Sequence, residues 1–559
     1  MGKERIDIIR EVIDQLSFVH LVGEIQQGAG YIVSCEIDVD TTEGVEPLRW
    51  AVEIFSLYPM MAQGHDSIRF INKDLMEYPH IMEESNLCLH TNHAYDLHSK
   101  LRGDLTMLKQ WVDKYYVNGE KDDHYEHLVV NTLPINGKYY TFLFAEAERP
   151  FKDGDYGWFD FGSQMKGLKN EKTVDCFSVI GYLSNYYPKS ETNNCKWRTA
   201  TRTLKGYVGI YCFLSKTPDV YGKFIIKDYK ELNKLMSHNQ VKFVNDEMRK
   251  IEYKHIIDGH VVFMVGYTIP SGEVQWQTML IPVNDLPFEV EKVRIPGTSQ
   301  NQWLAHFVTG NIQWAQTINS SYEHFFGRGA YPKRVTDSKI LIIGVGAIGS
   351  MVAVALTRCG ARDLSIYDFD DKKPGNICRS EYEFLHGCGG KVFELSRILY
   401  AISPFVECKA WDTDFDMLVK GSIGNEDGMA KAREFLNEFD IVFDCSTDND
   451  MMKCLDQLEL RSQIVNMSIS NHAQELVCAF SPEMSGFVEE VYTKLLKNDL
   501  EDVYNPTGCW NPTFKASYTD IACMVQLAMK HIVKMISGEE EKKNFVIVDD
   551  REGLKIQRL

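Results

Sequence analysis

The sequence predicts an α/β protein in three parts, and one stretch in its last half carries most of that prediction. Lys339–Ile343 is a short apolar run, long enough for a buried parallel strand and too short for a helix. Gly344-Val345-Gly346-Ala347-Ile348-Gly349 follows at once, then a helical apolar pattern over residues 351–358, closed by Gly360. A second strand over 364–367 delivers Asp368, 24 residues after Gly344. This is a βαβ unit with a G-x-G-x-x-G turn and an acid placed for a ribose hydroxyl, so a Rossmann-like C-terminal domain is expected. The second observation lies at the other end, where helix, antiparallel strands, an irregular stretch and another helix give an α+β pattern. The third is length: 559 residues exceed one core and imply about three or four domains. The expected boundaries are 1–120, 121–325 and 326–559, with the middle part also α+β.

Composition narrows the classes. With 44% hydrophobic and 25% charged residues the chain reads as globular. A net charge of −19 argues against a nucleic-acid surface and gives no electrostatic reason to seek an anionic membrane. No apolar run reaches membrane-spanning length, and the N-terminus opens an amphipathic helix and not a signal peptide. A cytoplasmic location is the expectation. The 14 cysteines include no C-x-x-C pair, which excludes zinc-ribbon spacing and suggests no disulfide framework.

In chain order, residues 4–18 are expected to be helical, with Ile6, Ile9, Val12, Ile13 and Leu16 on one face. Strands are expected over 31–37 and 48–56 around a polar turn region at 38–46, and a helix with a central Trp111 over 105–116. Between them lie Tyr78-Pro79-His80-Ile81 and, eight residues after His80, Cys88. This order and spacing resemble the ubiquitin-conjugating fold, whose H-P-N motif precedes its nucleophilic cysteine. The resemblance implies that Cys88 is a nucleophile. His80 replaces the asparagine that donates to the oxyanion, a task an imidazole N–H can also perform. His90 and His93 flank the site and are placed to tune the thiolate fraction. The competing reading of Cys88 is a small buried hydrophobe.

The middle part is less informative. Strands are expected over 139–147, 207–214, 261–267 and 276–281, the last two joined by a Pro270-Ser271-Gly272 turn. A helix is expected over 229–252, and loops over 153–162 and 189–194. No ligand spacing or nucleophile–base pair stands out, so a linking and docking role is expected.

After Asp368 come Asp370, then Asn376 and Arg379, a helix opening at Gly390-Lys391, and Asp448 after a further strand. A nicotinamide site has no use for such a set at its phosphate end, whereas ATP with Mg2+ needs cations and a metal-binding carboxylate. From Phe326 onward the order D-x-D, N-x-x-R, G-K, D-C-S-T-D-N resembles the adenylating (ThiF-type) domain of ubiquitin-activating enzymes and their bacterial sulfur-carrier relatives. The resemblance implies that Gly344, Gly346 and Gly349 cradle the nucleotide. Asp368, with Asp370 and Asn376 beside it, holds the sugar end, and Arg379 with Lys391 neutralises phosphate. Asp448, rather than Asp444, carries the metal. It also places Arg328, or secondly Arg334, as an arginine reaching an ATP site, often a partner subunit's. Beyond Asp448, a strand over 463–469, an antiparallel run over 473–480 and a lid-like stretch over 488–502 are expected. Cys509 follows in a G-C-W-N-P loop ahead of a long helix in which Cys523 is expected to be core. Strands over 546–550 and 554–559 close the chain.

The whole most resembles bacterial fusions of conjugating-like and activating-like domains, as found in antiphage cyclic-oligonucleotide (CBASS) operons. That implies ATP-dependent adenylation of a donor protein's C-terminal carboxylate and thioesters on Cys509 and then Cys88. Transfer to an amine of a protein or small molecule follows. The implied donor is a cyclic-nucleotide synthase or a β-grasp modifier, and the implied assembly a homodimer. An NAD-dependent oxidoreductase is the reading from a different class.

Overall fold

The computed structural model describes residues 2–41, 44–61, 65–76, 78–82, 85–89, 94–120, 132–185, 192–197, 206–218, 226, 229–248, 250, 255–283, 288–307, 312–385, 387–413, 415–495, 503–504, 513–550 and 552–558. The chain divides into two compact units: Met1–Cys195 with Lys205–Asn319, and Lys196–Leu204 with Ser320–Leu559. Among the described residues no helix is long and apolar enough to cross a membrane.

In the first unit, helix Gly2–Asp14 buries Ile9, Val12 and Ile13 against an antiparallel sheet ordered Val19–Leu21, Gly30–Thr41, Gly44–Phe55, Ile68–Ile71. The two long strands run further into residues 38–46 than the polar composition suggests, because Val39 alternates inward and is buried. The helix expected over 105–116 begins earlier, at Leu97, where the Asp96 carboxylate accepts from the Ser99 amide at 2.8 Å. It ends in a wider turn, Val112–Val117.

The rest of this unit is built on a nine-stranded mixed sheet that closes on itself, since Gly206–Phe213 pairs both with Tyr156–Lys169 and with His260–Thr268; Phe288–Arg294 and Asn301–Phe307 form a separate hairpin. Four expected strands are present as Tyr139–Phe144, Gly206–Phe213, His260–Thr268 and Val274–Pro282. Three expectations fail, the first in the loop expected over 189–194, where Asn193–Asn194 is a short strand paired with Gly181 and Tyr182. Residues 153–162 are not a loop: Tyr156–Lys169 is a long strand whose Phe159 and Phe161 point inward and are fully buried. Its glycines misled because Gly157 is there for close approach, a Cβ at that position falling 2.0 Å from the Leu183 carbonyl oxygen. The helix over 229–252 is two, Tyr229–Asn233 and His238–Met248. They are split where the Ser237 amide donates to Gln240 Oε1 and the Gln240 amide to Ser237 Oγ, a reciprocal cap.

The second unit is built on an eight-stranded sheet. Its strands run in the order Glu407–Trp411, Asp363–Tyr367, Lys339–Ile343, Ile441–Asp444, Gln463–Ser470, Glu475–Phe480, Phe545–Asp550, Gly553–Arg558. The first five are parallel and the last three antiparallel. Lys339–Ile343 is central, with Asp363–Tyr367 on one side and Ile441–Asp444 on the other. The order therefore reverses beside the glycine turn, where a crevice opens at the strands' C-terminal ends. Helices Ala347–Arg358 and Tyr518–Ser537 cover one face of the sheet through a core that includes Met351, Met524, Val525 and Met529.

Two further expectations are corrected here. Cys523 is exposed: the buried stripe of its helix is Ile521, Met524, Val525, Ala528 and Met529, and Cys523 falls off it. The described part of the lid-like stretch belongs to helix Met484–Leu495, seated on the sheet by Met484, Val488 and Val491, with its charges on the outer side.

Candidate functional site

The three glycines of the turn do three different jobs. Gly344 has a φ of +77°, and a Cβ there would lie 2.6 Å from the Ser446 Cα. Gly349 lets the helix lie against the strand end, since its Cβ would fall 1.9 Å from the Gly344 carbonyl oxygen. Gly346 caps the helix Ala347–Arg358, and nothing lies within 4 Å of the Cβ it lacks. Two glycines serve the fold, then, and the third keeps open the space in front of a helix N-terminus, where backbone N–H groups favour an anion.

Asp368 is nearly buried at the end of its strand. Its carboxylate accepts from the Val345 amide at 2.9 Å and from the Asp370 amide at 2.9 Å. Lys391, the first residue of helix Lys391–Ile402, donates to Asp370 Oδ2 at 2.7 Å and lies 3.5 Å from Asp368 Oδ1. The D-x-D and G-K motifs therefore meet around one ammonium. Asn376 and Arg379 sit on the short helix Pro374–Arg379, where Asn376 Oδ1 accepts from the Lys373 amide at 2.8 Å. Tyr382 donates to the Val345 carbonyl at 2.6 Å and pins this segment to the glycine turn.

Across the crevice, Asp444 and Asp448 are very different carboxylates. Asp444 is fully buried, accepts from Ser446 Oγ at 2.6 Å and from Asn466 Nδ2 at 2.8 Å, and is pushed above the usual carboxylate range by burial. Asp448 is part-exposed and caps helix Asn449–Gln457, its Oδ1 accepting from the Asp450 and Met451 amides at 2.9 and 3.1 Å. Its Oδ2 is paired with Lys420. Burial works to raise its pKa, but the Lys420 hydrogen bond and the helix amides outweigh that and hold it below the usual range. Lys420 in turn reaches Asp416 at 2.9 Å, whose other oxygen accepts from Tyr367 at 3.1 Å. The sequence reading missed Lys420 and Asp416, which no motif marks. Beside Asp448 opens a cleft of about 700 Å³ lined by Thr447, Asn449, Asn466, Ser468, Glu489 and Tyr492 among others. The Asn466 Oδ1 is buried and without a partner there.

Among the described residues no three His, Cys, Asp or Glu side chains gather as a metal cage. The Asp448 carboxylate, part-exposed and with Oδ2 free of backbone partners, is compatible with Mg2+, which binds through one or two carboxylates and the phosphates of its nucleotide.

Residues 323–554 match the model of the ThiF family. The C-terminal unit contains a ThiF domain. Over 235 residues the chain is 25% identical to the ATP-dependent ubiquitin transferase-like protein Cap2 of Enterobacter hormaechei subsp. hoffmannii (strain UCI 50), covering 41% of this chain and 38% of that one. It is 27% identical over 155 residues to the ubiquitin-like modifier-activating enzyme 5 of Caenorhabditis briggsae, covering 25% of this chain and 34% of that one. The matched part thus spans little more than a third of these curated relatives. An E. coli MccB crystal structure with ATP aligns over 41% of this chain and 64% of its own at 15% identity, with a TM-score of 0.29, too remote to argue from. The ThiF domain holds the glycine turn, Asp368, Asp370, Asn376, Arg379, Lys391 and Asp448. Arg328 is exposed in the turn after helix Tyr322–Phe326, at the domain's start. Arg334 donates to the Ser537 carbonyl at 3.3 Å. Cys509 lies outside the described residues.

The N-terminal cysteine has its own surroundings. Cys88 is exposed at the rim of a groove of about 590 Å³ lined by Phe55, Leu57, Met61, Asp66 and Met82 among others. Its amide donates to the His80 carbonyl at 2.8 Å, so the two residues are tied through backbone. The His80 ring instead meets Tyr115, with Nε2 3.3 Å from the hydroxyl. His80 has a φ of +67°, a region where Asn, Asp and His are the commonest non-glycine residues. Though the residue is exposed, its sulfur is partly desolvated where it lines the groove, and this, then Asp66, pushes the thiol up, the opposite of an activated cysteine. His90 and His93 lie outside the described residues.

Proposed function

We propose that the chain is an ATP-dependent activating and conjugating enzyme of the ubiquitin-like kind. The observation that carries the reading is Lys391 held between Asp368 and Asp370, Asp368 accepting from the Val345 amide of the glycine turn, with Asp448 two residues beyond Ser446, which packs on Gly344. A donor protein's C-terminal carboxylate oxygen attacks the α-phosphorus of ATP, and pyrophosphate leaves. Helix amides behind Gly346, with Lys391 and Arg379, stabilise the charge that builds on the phosphates, and Asp368 orients the sugar. Asp448 holds Mg2+, which when bound offsets the polyphosphate charge.

The Cys509 thiolate then attacks the acyl carbonyl and AMP leaves. Cys88 attacks the resulting thioester, freeing Cys509, and an amine finally displaces Cys88, losing its proton to solvent or a base. With its ring on Tyr115, His80 acts on Cys88 through the backbone unless substrate turns it. A C-terminal tail needs a cleft with hydrogen-bonding walls, and the cavity beside Asp448, with Asn449, Ser468 and the unpartnered Asn466 oxygen, supports that reading. The donor is a cyclic-nucleotide synthase or a β-grasp modifier, and the working form is a homodimer with Arg328 reaching the partner's nucleotide.

The test is ATP–pyrophosphate exchange with purified donor. Exchange is expected only with the donor carboxylate present, and Asp448→Ala is expected to lower it by a factor of about 100 or more. Hydride transfer from a nicotinamide with no ATP requirement would contradict the reading.

A further inference from the structure

Lys420 belongs to no motif, yet it bridges two carboxylates of the crevice. It opens the short turn Lys420–Ser422 after helix Phe415–Val419, one helical turn beyond Asp416. Its ammonium lies between Asp448 Oδ2 and Asp416 Oδ2, and its side chain is 28% exposed, so it is neither locked in the core nor free in solvent. Asp448 Oδ1 is committed to two helix amides, which leaves Oδ2 as the oxygen on which an incoming cation must act. That is the oxygen Lys420 occupies.

We propose that Lys420 is the resident counter-ion of Asp448: it holds this carboxylate while no divalent cation is bound and yields it when one arrives. Cation binding is then an exchange and not the filling of an empty place. The inference rests on the reading of Asp448 as the cation-holding carboxylate.

Charge counting favours the exchange. Asp416 and Asp448 bring two negative charges against one ammonium, so the triad has room for further positive charge. When a cation takes Asp448, Lys420 keeps Asp416 as its partner, fixed in place by Tyr367. The exchange therefore leaves neither carboxylate nor the ammonium without an opposite charge, the costly outcome for partly buried groups, and leaves the cation's second positive charge for the nucleotide phosphates. The consequence is order of arrival. The free protein holds divalent cations weakly, and the cation comes with the nucleotide, whose phosphates supply the remaining ligands.

The test uses Mn2+ alone as the probe, titrated into the full chain without nucleotide and followed by the electron paramagnetic resonance of the free ion. Lys420→Met is expected to raise Mn2+ affinity about tenfold or more. Lys420→Gln, which keeps a hydrogen-bond donor should the Met variant fold poorly, is expected to raise it in the same direction. Lys453→Met is the control for general electrostatics, because Lys453 stands on the helix that Asp448 caps but pairs with Glu489 at 3.1 Å. It is expected to change affinity less than about twofold. Adding Asp448→Asn to Lys420→Met should abolish the gain. Equal affinity in wild type and both Lys420 variants, or an equal rise in Lys453→Met, would overturn the exchange while leaving the Asp448 reading in place. Mn2+ binding that ignores Asp448→Asn, with nucleotide and without it, would remove the Asp448 reading itself and the exchange with it.

Discussion

The crevice of the ThiF domain and the groove at Cys88 are prepared for chemistry to different degrees. In the crevice the polar groups hold one another in place before any ligand arrives. Asp368 is fixed by two amides, Lys391 by two carboxylates, and Asp448 by a helix N-terminus and Lys420. The groove is mostly apolar, and its thiol is raised where a ready nucleophile would be lowered. Preorganised dipoles and charges act only where charge develops in the transition state. Under the proposed function, the difference means that the phosphate step is built into the resting protein, whereas reactivity at Cys88 has to be completed by what docks there.

The sharpest way to break this contrast is to remove each thiol. Cys88→Ala is expected to leave pyrophosphate exchange within about twofold of wild type while abolishing the final conjugate and letting a thioester accumulate on Cys509. Cys509→Ala is expected to remove both thioesters with exchange intact. Non-reducing gels read both. A reducible adduct on Cys88 in the Cys509→Ala protein would show direct charging and refute the two-step relay.

Smaller in effect is the pair Gly349→Ala and Gly346→Ala. The added methyl at 349 meets a carbonyl oxygen at 1.9 Å and is expected to cost about 1–3 kcal/mol of stability, visible as a lowered thermal midpoint. The methyl at 346 meets nothing within 4 Å, so stability should hold while ATP affinity falls. A destabilised Gly346→Ala protein with unchanged nucleotide binding would show that this glycine serves the fold.

The mildest effect concerns pH. Because the Cys88 thiol is raised, less thiolate is present at a given pH, and alkylation of Cys88 should rise only at higher pH than that of an ordinary thiol. Asp66→Asn removes the second cause and should bring the profile part of the way down, burial being the first. Mass-spectrometric labelling rates against pH measure this, and an unchanged profile in Asp66→Asn would assign the whole shift to burial.

The sequence announced the crevice far better than the groove, and the reason is physical. Glycines forced by close approach, an acid at a strand end and a lysine at a helix start are local demands, so they leave motifs at fixed offsets. Lys420 and Asp416 reach Asp448 across the fold and leave none. The strand at residues 156–169 was misread because its glycines answer to a neighbouring strand, Lys172–Ser184, and not to a turn of their own. Cys523 shows the opposite lesson: its place on the helix, read against the apolar stripe, already puts it outside. Near Cys88 the spacing to His80 was readable, but the turning of the imidazole toward Tyr115 depends on a helix that comes later in the chain.

The central claim is carboxylate adenylation in the ThiF domain, and isotope transfer tests it most directly. The donor protein is prepared with 18O in its C-terminal carboxylate and turned over with ATP, Mg2+ and an acceptor amine. Attack of that carboxylate on the α-phosphorus leaves one donor oxygen on the phosphate, so the released AMP is expected to carry one 18O. Unlabelled AMP, or ADP as the nucleotide product, would contradict the account.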